Sequence, residues 1–162
     1  MLLNTIIAPS NFQFVKTAGV EIAQPDQSVD LVYSNQLMEH LHVDDVHDQL
    51  REIIRILRPG GRYLCITPSR VTGPHDISCL FDDTATGFHM REYDCGSIRA
   101  IFLGAGFSRV DFPLVIRGRW LATPPYLALR TLELSLLRVP NRFRRKMRFV
   151  TPLMGVTAFG TK

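Results

Sequence analysis

The sequence predicts an α/β fold whose sheet is mostly parallel with an antiparallel last strand, and three adjacent features near its centre carry that prediction. Val29 to Ser34 (VDLVYS) is a short apolar run of the kind that becomes a strand buried on both faces in a parallel sheet. From Val43 to Leu57 the apolar residues Val43, Val46, Leu50, Ile53, Ile54 and Leu57 recur at three- and four-residue steps. This spacing gives an amphipathic helix, and Asp44, Asp45 and Asp48 early with Arg51, Arg55 and Arg58 late suit its dipole. Pro59-Gly60-Gly61 stops that helix, since proline donates no amide hydrogen and glycine accepts the left-handed conformation that ends helices. Arg62 to Thr67 (RYLCIT) then reads as a second strand. Connections this short favour a parallel, right-handed crossover.

The flanking elements extend the same alternation. Asn11 to Val15 (NFQFV) alternates and is predicted as a strand, followed by a turn at Pro25-Asp26-Gln27-Ser28. Residues 68–93 hold no period and are rich in turn formers, so they are expected to form a long excursion over one end of the sheet. Asp94 can cap a helix bearing Ile98, Ile101, Phe102 and Ala105, which Gly106 ends before a strand over Ser108 to Ile116. Pro124-Pro125 opens a leucine-rich helical window, and Met154 to Thr161 reads as a strand able to pair antiparallel with 108–116. The stretch of about 117–152 is then an insertion within a single domain spanning 1–162.

Composition narrows the function classes. With 162 residues, 46% of them apolar and 21% charged, the chain can bury a core of one domain's size. Cys65, Cys79 and Cys95 are scattered and odd in number, which suggests neither a disulfide framework nor a thiolate metal site and makes reduced, cytoplasmic thiols the expectation. The opening residues make a poor signal peptide, and no apolar run reaches the roughly 18–20 residues of a bilayer span. Charge is uneven: residues 1–116 hold nine Lys/Arg against 14 Asp/Glu, whereas 117–162 hold ten Lys/Arg against Glu133 alone. Arg142, Arg144, Arg145, Lys146 and Arg148 are therefore candidates for an anionic membrane surface or, less favoured, nucleic acid; a solvated basic face is the plainer account.

Asp30 to Arg70, DLVYSNQLMEHLHVDDVHDQLREIIRILRPGGRYLCITPSR, joins a buried strand, a Ser-Asn end, an EHL step, an amphipathic helix and LRPGG before another strand. Together these resemble the central signature of class I S-adenosylmethionine-dependent methyltransferases. Thr17 to Asp30 and Gly104 to Phe107 match flanking parts of the pattern, so the resemblance covers about residues 11–116 and the last strand. It implies a Rossmann-like methyltransferase sheet holding the family's third to seventh strands, from a usual spatial order of three, two, one, four, five, seven, six.

The resemblance also implies what is absent. Nothing before Asn11 matches the family's first strand, glycine-rich turn and second strand, which bind the methionine and ribose of the cofactor. An incomplete domain with impaired cofactor binding is therefore expected, and exposed sheet edges could recruit another chain or a second copy. A non-catalytic domain acting through such association, or a basic binding module, are the alternatives to methyl transfer. Ala18 falls where many members carry an aspartate facing the adenine, leaving only backbone contact there and at Gly19.

S-adenosylmethionine is thus the implied cofactor and a small or lipid-like molecule the implied acceptor. Ser34, Asn35 and Glu39 are expected near the cofactor, while His40, His75 and His89 are candidate bases or acceptor contacts. The ordinary roles of such residues, as helix caps and solvent-facing side chains, compete with each assignment. Phe81, Phe88 and Tyr93 could wall an acceptor or simply anchor the loop. The histidine spacings match no compact zinc pattern, and no metal is expected.

Overall fold

The parallel unit forms as the sequence predicts. In the computed structural model, which describes residues 11–16, 19–116, 119–144 and 155–162, β1 (Val29–Asn35) leads through a single turn of 3-10 helix at Met38–His40 into α1 (Val43–Ile56) and then β2 (Leu57–Pro68). The strands β1 and β2 pair in parallel, with Ser34 opposite Cys65 and Asn35 opposite Ile66. Val46, Leu50, Ile53 and Ile56 form the buried stripe of α1, while Val43 stays exposed. The helix ends one residue before its predicted stop: Leu57 is already extended, because the residues leading into Pro59 are pushed out of the helical region. Lys162 Nζ donates to the carbonyls of Ile54 and Leu57, placing a cation where the helix leaves acceptors unmet.

Beyond the long loop, α2 (Cys95–Ala105) begins with a reciprocal cap: the Asp94 carboxylate accepts from the Ser97 amide and the Ser97 hydroxyl accepts from the Asp94 amide. It closes at Gly106, whose φ of 110° is the left-handed cap that glycine adopts without steric cost. β3 (Arg109–Asp111) follows, and after a long excursion the chain returns as β6 (Gly155–Thr161), which pairs antiparallel with β2 on one side and β3 on the other. The spatial order is β1-β2-β6-β3. Three strands run one way and only β6 is reversed, the four-five-seven-six segment of the expected order.

Two expected strands differ. Residues 11–16 form no strand, and Phe12, Phe14 and Val15 are exposed. Alternation supplies side chains for a strand but not a partner for its backbone, and no strand lies beside this one among the described residues. The strand expected over Ser108 to Ile116 is interrupted at Phe112-Pro113: β3 stays in the main sheet, whereas β4 (Leu114–Ile116) pairs with β5 (Arg119–Ala122) as a separate hairpin. Pro113 carries no amide hydrogen, so the ladder breaks there.

The leucine-rich window forms α3 (Tyr126–Leu137), followed by the short α4 (Asn141–Arg144). Leu129, Glu133 and Leu136 are its buried positions, leaving Leu127, Leu132 and Leu134 outward. Between the membrane and packed placements, this stretch packs on the domain: Leu129 joins the main core and Leu136 packs with Val71. Of the basic cluster, Arg142 lies over the Phe143 ring and Arg144 is buried, while Arg145, Lys146 and Arg148 lie outside the described residues. No described helix is long and apolar enough to cross a membrane.

The core sits between the sheet and α1, α2 and α3. Its centre is an aromatic trio, Tyr63, Phe102 and Phe107, with ring centroids 5.0 to 6.0 Å apart. Gly160 on β6 faces this trio so closely that a Cβ there would stand 2.6 Å from Phe107 Cδ1. The opposite side of the sheet is less covered. Leu31 and Tyr33 on β1 are 55% and 56% exposed, so the strand expected to be buried on both faces is covered on one, where α1 packs, and open on the other among the described residues.

Candidate functional site

The carboxyl ends of β1 and β2, with the long loop folded across them, form the candidate site. In open α/β sheets this end faces the ligand crevice. The Ser34 hydroxyl is half-buried and shares a 2.7 Å hydrogen bond with the Tyr63 hydroxyl, so it is oriented by the core. Asn35 is exposed at the strand end, and the Gln36 amide donates to the Ile66 carbonyl to hold the following turn against β2. Gly19 lies in an exposed turn, and Ala18 is outside the described residues. An open groove of about 660 Å³ between 20–25 and α1 includes none of the expected site residues, so it is a separate feature.

Glu39 and His40 follow within the 3-10 turn, and the structure separates their surroundings. Glu39 is fully buried; its Oε2 accepts from the Thr67 hydroxyl at 2.9 Å, while Oε1 has no hydrogen-bond partner. A buried acceptor left without a donor is costly and calls for a ligand or a functional reason. His40 is half exposed, with Nδ1 3.1 Å from the Phe88 carbonyl. Burial pushes the neighbouring Cys65 thiol up to about 11, and this closed thiol donates to Met38 Sδ.

The loop over 68–93 is tied to this turn by backbone bonds: the Met90 and Arg91 amides both donate to the Glu39 carbonyl. That closure places His89 beside His40, with ring centroids 5.1 Å apart in an edge-on arrangement. His89 Nδ1 meets the Glu92 carboxylate at 3.0 Å. Two of the three candidate histidines are therefore brought together with Glu39. His75 is drawn instead into the loop's own framework, where its Nε2 lies 3.1 Å from the Ser69 carbonyl and 3.0 Å from the Thr72 hydroxyl. Its backbone amide donates to Glu92, linking the two halves of the loop. Of the loop aromatics, Tyr93 is buried in the core, whereas Phe81 and Phe88 are exposed.

Asp76 organises the loop. Its Oδ1 accepts from the Ser78 amide, and Oδ2 from the amides of Gly87 and His89. Burial opposes its ionisation, yet these amide donors, that of His89 foremost, hold its carboxyl at about 2. Because the folded value lies below the roughly 3.9 of an unfolded aspartate, this contribution is complete above that value and lost as pH falls toward 2. Thermal melts between pH 5 and pH 2 should therefore show a loss of stability that Asp76→Asn flattens, with Asp76→Asn less stable at neutral pH.

Sequence reading missed Thr67, Glu92 and the role of Asp76. No motif signals them: His89 and Glu92 are three apart in a stretch without helical period, and Thr67 is an ordinary strand residue until Glu39 is folded beneath it.

Comparison with known proteins finds similarity to methyltransferases. A family model described as "Methyltransferase domain" matches residues 4–65. A protein of Mycolicibacterium smegmatis named "probable S-adenosylmethionine-dependent methyltransferase" is 37% identical over 102 residues, covering 63% of this chain and 37% of that protein. A protein of Mycobacterium tuberculosis with the same description is 36% identical over 87 residues, covering 54% of this chain and 30% of that one. The chain thus spans about a third of the length of these curated relatives. Among solved structures, a SAM-dependent methyltransferase from Archaeoglobus fulgidus superposes with a TM-score of 0.56 at 14% identity, covering 94% of this chain and 68% of that one, a likeness of fold. Over part of its length the chain is similar in sequence to proteins named as S-adenosylmethionine-dependent methyltransferases, and its strand order and fold are like those of solved methyltransferases.

Proposed function

We propose that the domain serves S-adenosylmethionine-dependent methyl transfer to a small acceptor. The observation that carries this reading is the parallel β1–α1–β2 unit that sets Asn35 free and Ser34 half-buried at the carboxyl end of β1. The cofactor, when bound, supplies an electrophilic methyl group on a sulfonium. The protein's task is then alignment and exclusion of water.

Asn35 offers an amide donor and acceptor to the cofactor, Ser34 a hydroxyl fixed by Tyr63, and Gly19 a backbone open to close approach. Glu39 is turned toward His40 and His89, and in this reading it serves the acceptor as well as the cofactor end of the site. The imidazoles there can take a proton from an acceptor hydroxyl. A cavity of about 300 Å³, lined among others by Gly73, Met90, Arg91, Glu92 and Leu137, lies next to His89 along the loop and has room for a small acceptor.

Titration calorimetry with S-adenosylhomocysteine tests this. The expected result is saturable binding that is weakened in Asn35→Ala. Absence of saturable binding at millimolar ligand by the folded chain would overturn cofactor binding.

The exposed Leu31 and Tyr33 on β1, whose outer edge is unpaired among the described residues, favour a second reading. In it the domain associates through this face with another chain or a second copy. A monodisperse monomer at every concentration in sedimentation would remove it.

A further inference from the structure

Glu39, His40 and His89 each present an acceptor to one small volume. The candidate ligand atoms of the three all lie within 4.8 Å of one another, and His40 Nε2 is 3.9 Å from Glu39 Oε1. The surrounding bonds settle which atoms are available. His40 Nδ1 faces the Phe88 carbonyl, which can only accept, so that nitrogen carries the hydrogen. His89 Nδ1 faces the Glu92 carboxylate, again an acceptor. Both imidazoles therefore leave Nε2 as the remaining atom, a lone pair in the neutral ring.

Glu39 behaves the same way. One oxygen is committed to Thr67, and the other is buried without a hydrogen-bond partner. One ligand atom from each histidine and one from the Glu39 carboxylate converge within 4.8 Å of one another, an arrangement that is relieved by a proton or by a metal ion placed between them. Nδ1 bonds to a carboxylate and a backbone carbonyl are also the outer contacts that orient metal-binding histidines and raise their basicity.

We propose that Glu39, His40 and His89 bind one divalent transition-metal ion, of the zinc or cobalt type, through Glu39 Oε1 and the Nε2 atoms of both histidines. Two imidazoles and one carboxylate suit such ions and not magnesium or calcium, which favour oxygen alone. Ligands about 2.1 Å from the ion stand about 3.4 Å apart in a tetrahedron, so the set closes by roughly an ångström on binding. Half-exposed His40 gives the ion its entrance, and three protein ligands leave a coordination position for water or an acceptor oxygen. With the ion bound, the histidines act as ligands and no longer as bases. The inference rests on lone-pair geometry and stands apart from the methyl-transfer reading.

The test is calorimetric titration of the chelator-treated 162-residue chain with Zn2+, alongside the visible absorption of added Co2+. One ion per chain is expected, with a Kd in the micromolar range or tighter and a raised melting temperature. Glu39→Gln, His40→Asn and His89→Asn should each abolish or weaken binding by about 100-fold, and Glu92→Gln by about 10- to 100-fold. The exposed His42, His47 and Cys79 serve as controls, and their substitution should leave affinity unchanged. Absence of binding by the folded chain overturns the proposal, as does affinity that survives His40→Asn or is lost with the controls. His40 is on the surface, so its variant is decisive even where Glu39→Gln or His89→Asn fails to fold.

Discussion

Phe102→Ala should lower stability by about 3–5 kcal/mol, the cost of removing a fully buried aromatic side chain and leaving part of its volume empty. Phe102 lies at the heart of the trio with Tyr63 and Phe107, so its loss deprives both neighbours of a stacked partner. The vacancy cannot close easily, since Gly160 on β6 offers no side chain to fill it. The same trio holds the site. Tyr63 fixes the Ser34 hydroxyl, and a loosened Tyr63 releases it. Denaturant unfolding should show the lost stability, while Phe102→Leu, which keeps most of the volume, should cost far less.

Glu133→Ala should cost about 3 kcal/mol, because it breaks a paired carboxylate that the fold has buried. Glu133 Oε1 accepts from the Cys95 amide at the first turn of α2, and Oε2 pairs with Arg130, which also reaches Asp94 at 3.2 Å. One acid therefore joins α3 to the capped end of α2. Burial and the nearby Glu133 carboxylate push the Cys95 thiol up, in keeping with a closed environment. Removing the carboxylate leaves the Cys95 amide and the Arg130 guanidinium without this acceptor. Glu133→Gln should recover part of the loss, and equilibrium denaturation of the two variants separates the charge from the hydrogen bond.

Glu133 also shows what a sequence conceals. It is the only acid in a strongly basic third of the chain, which reads as a charge statistic. Its place in the stripe Leu129, Glu133, Leu136 becomes meaningful only when α2 is known to lie opposite. The β1–α1–β2 unit, by contrast, was legible because local signals agreed: an apolar run, a 3.6-residue period and a proline–glycine stop all act within about forty residues. The capped α2 and its glycine end were legible for the same reason.

Long-range partnership was less so. NFQFV has the alternation of a strand, yet forms none where no strand stands beside it among the described residues, and Pro113 divides what had the composition of a single strand. Ser34 and Asn35 could be put at the carboxyl end of a strand from the apolar run that leads into them. The meeting of His40 with His89 could not, because it depends on the Met90 and Arg91 amides closing a 26-residue loop onto the Glu39 carbonyl. Glu92, which orients His89, belongs to no pattern that spacing reveals.

The central claim is that the carboxyl end of β1 is a cofactor crevice, and amide NMR during titration with S-adenosylhomocysteine tests it most directly. The account predicts progressive, fast-exchange shifts concentrated at Gly19, Ser34, Asn35 and the turn beyond them, with little change on the outer surface of α3. Shifts absent at millimolar ligand, or gathered on α3 and α4 while the β1 end stays silent, would contradict it.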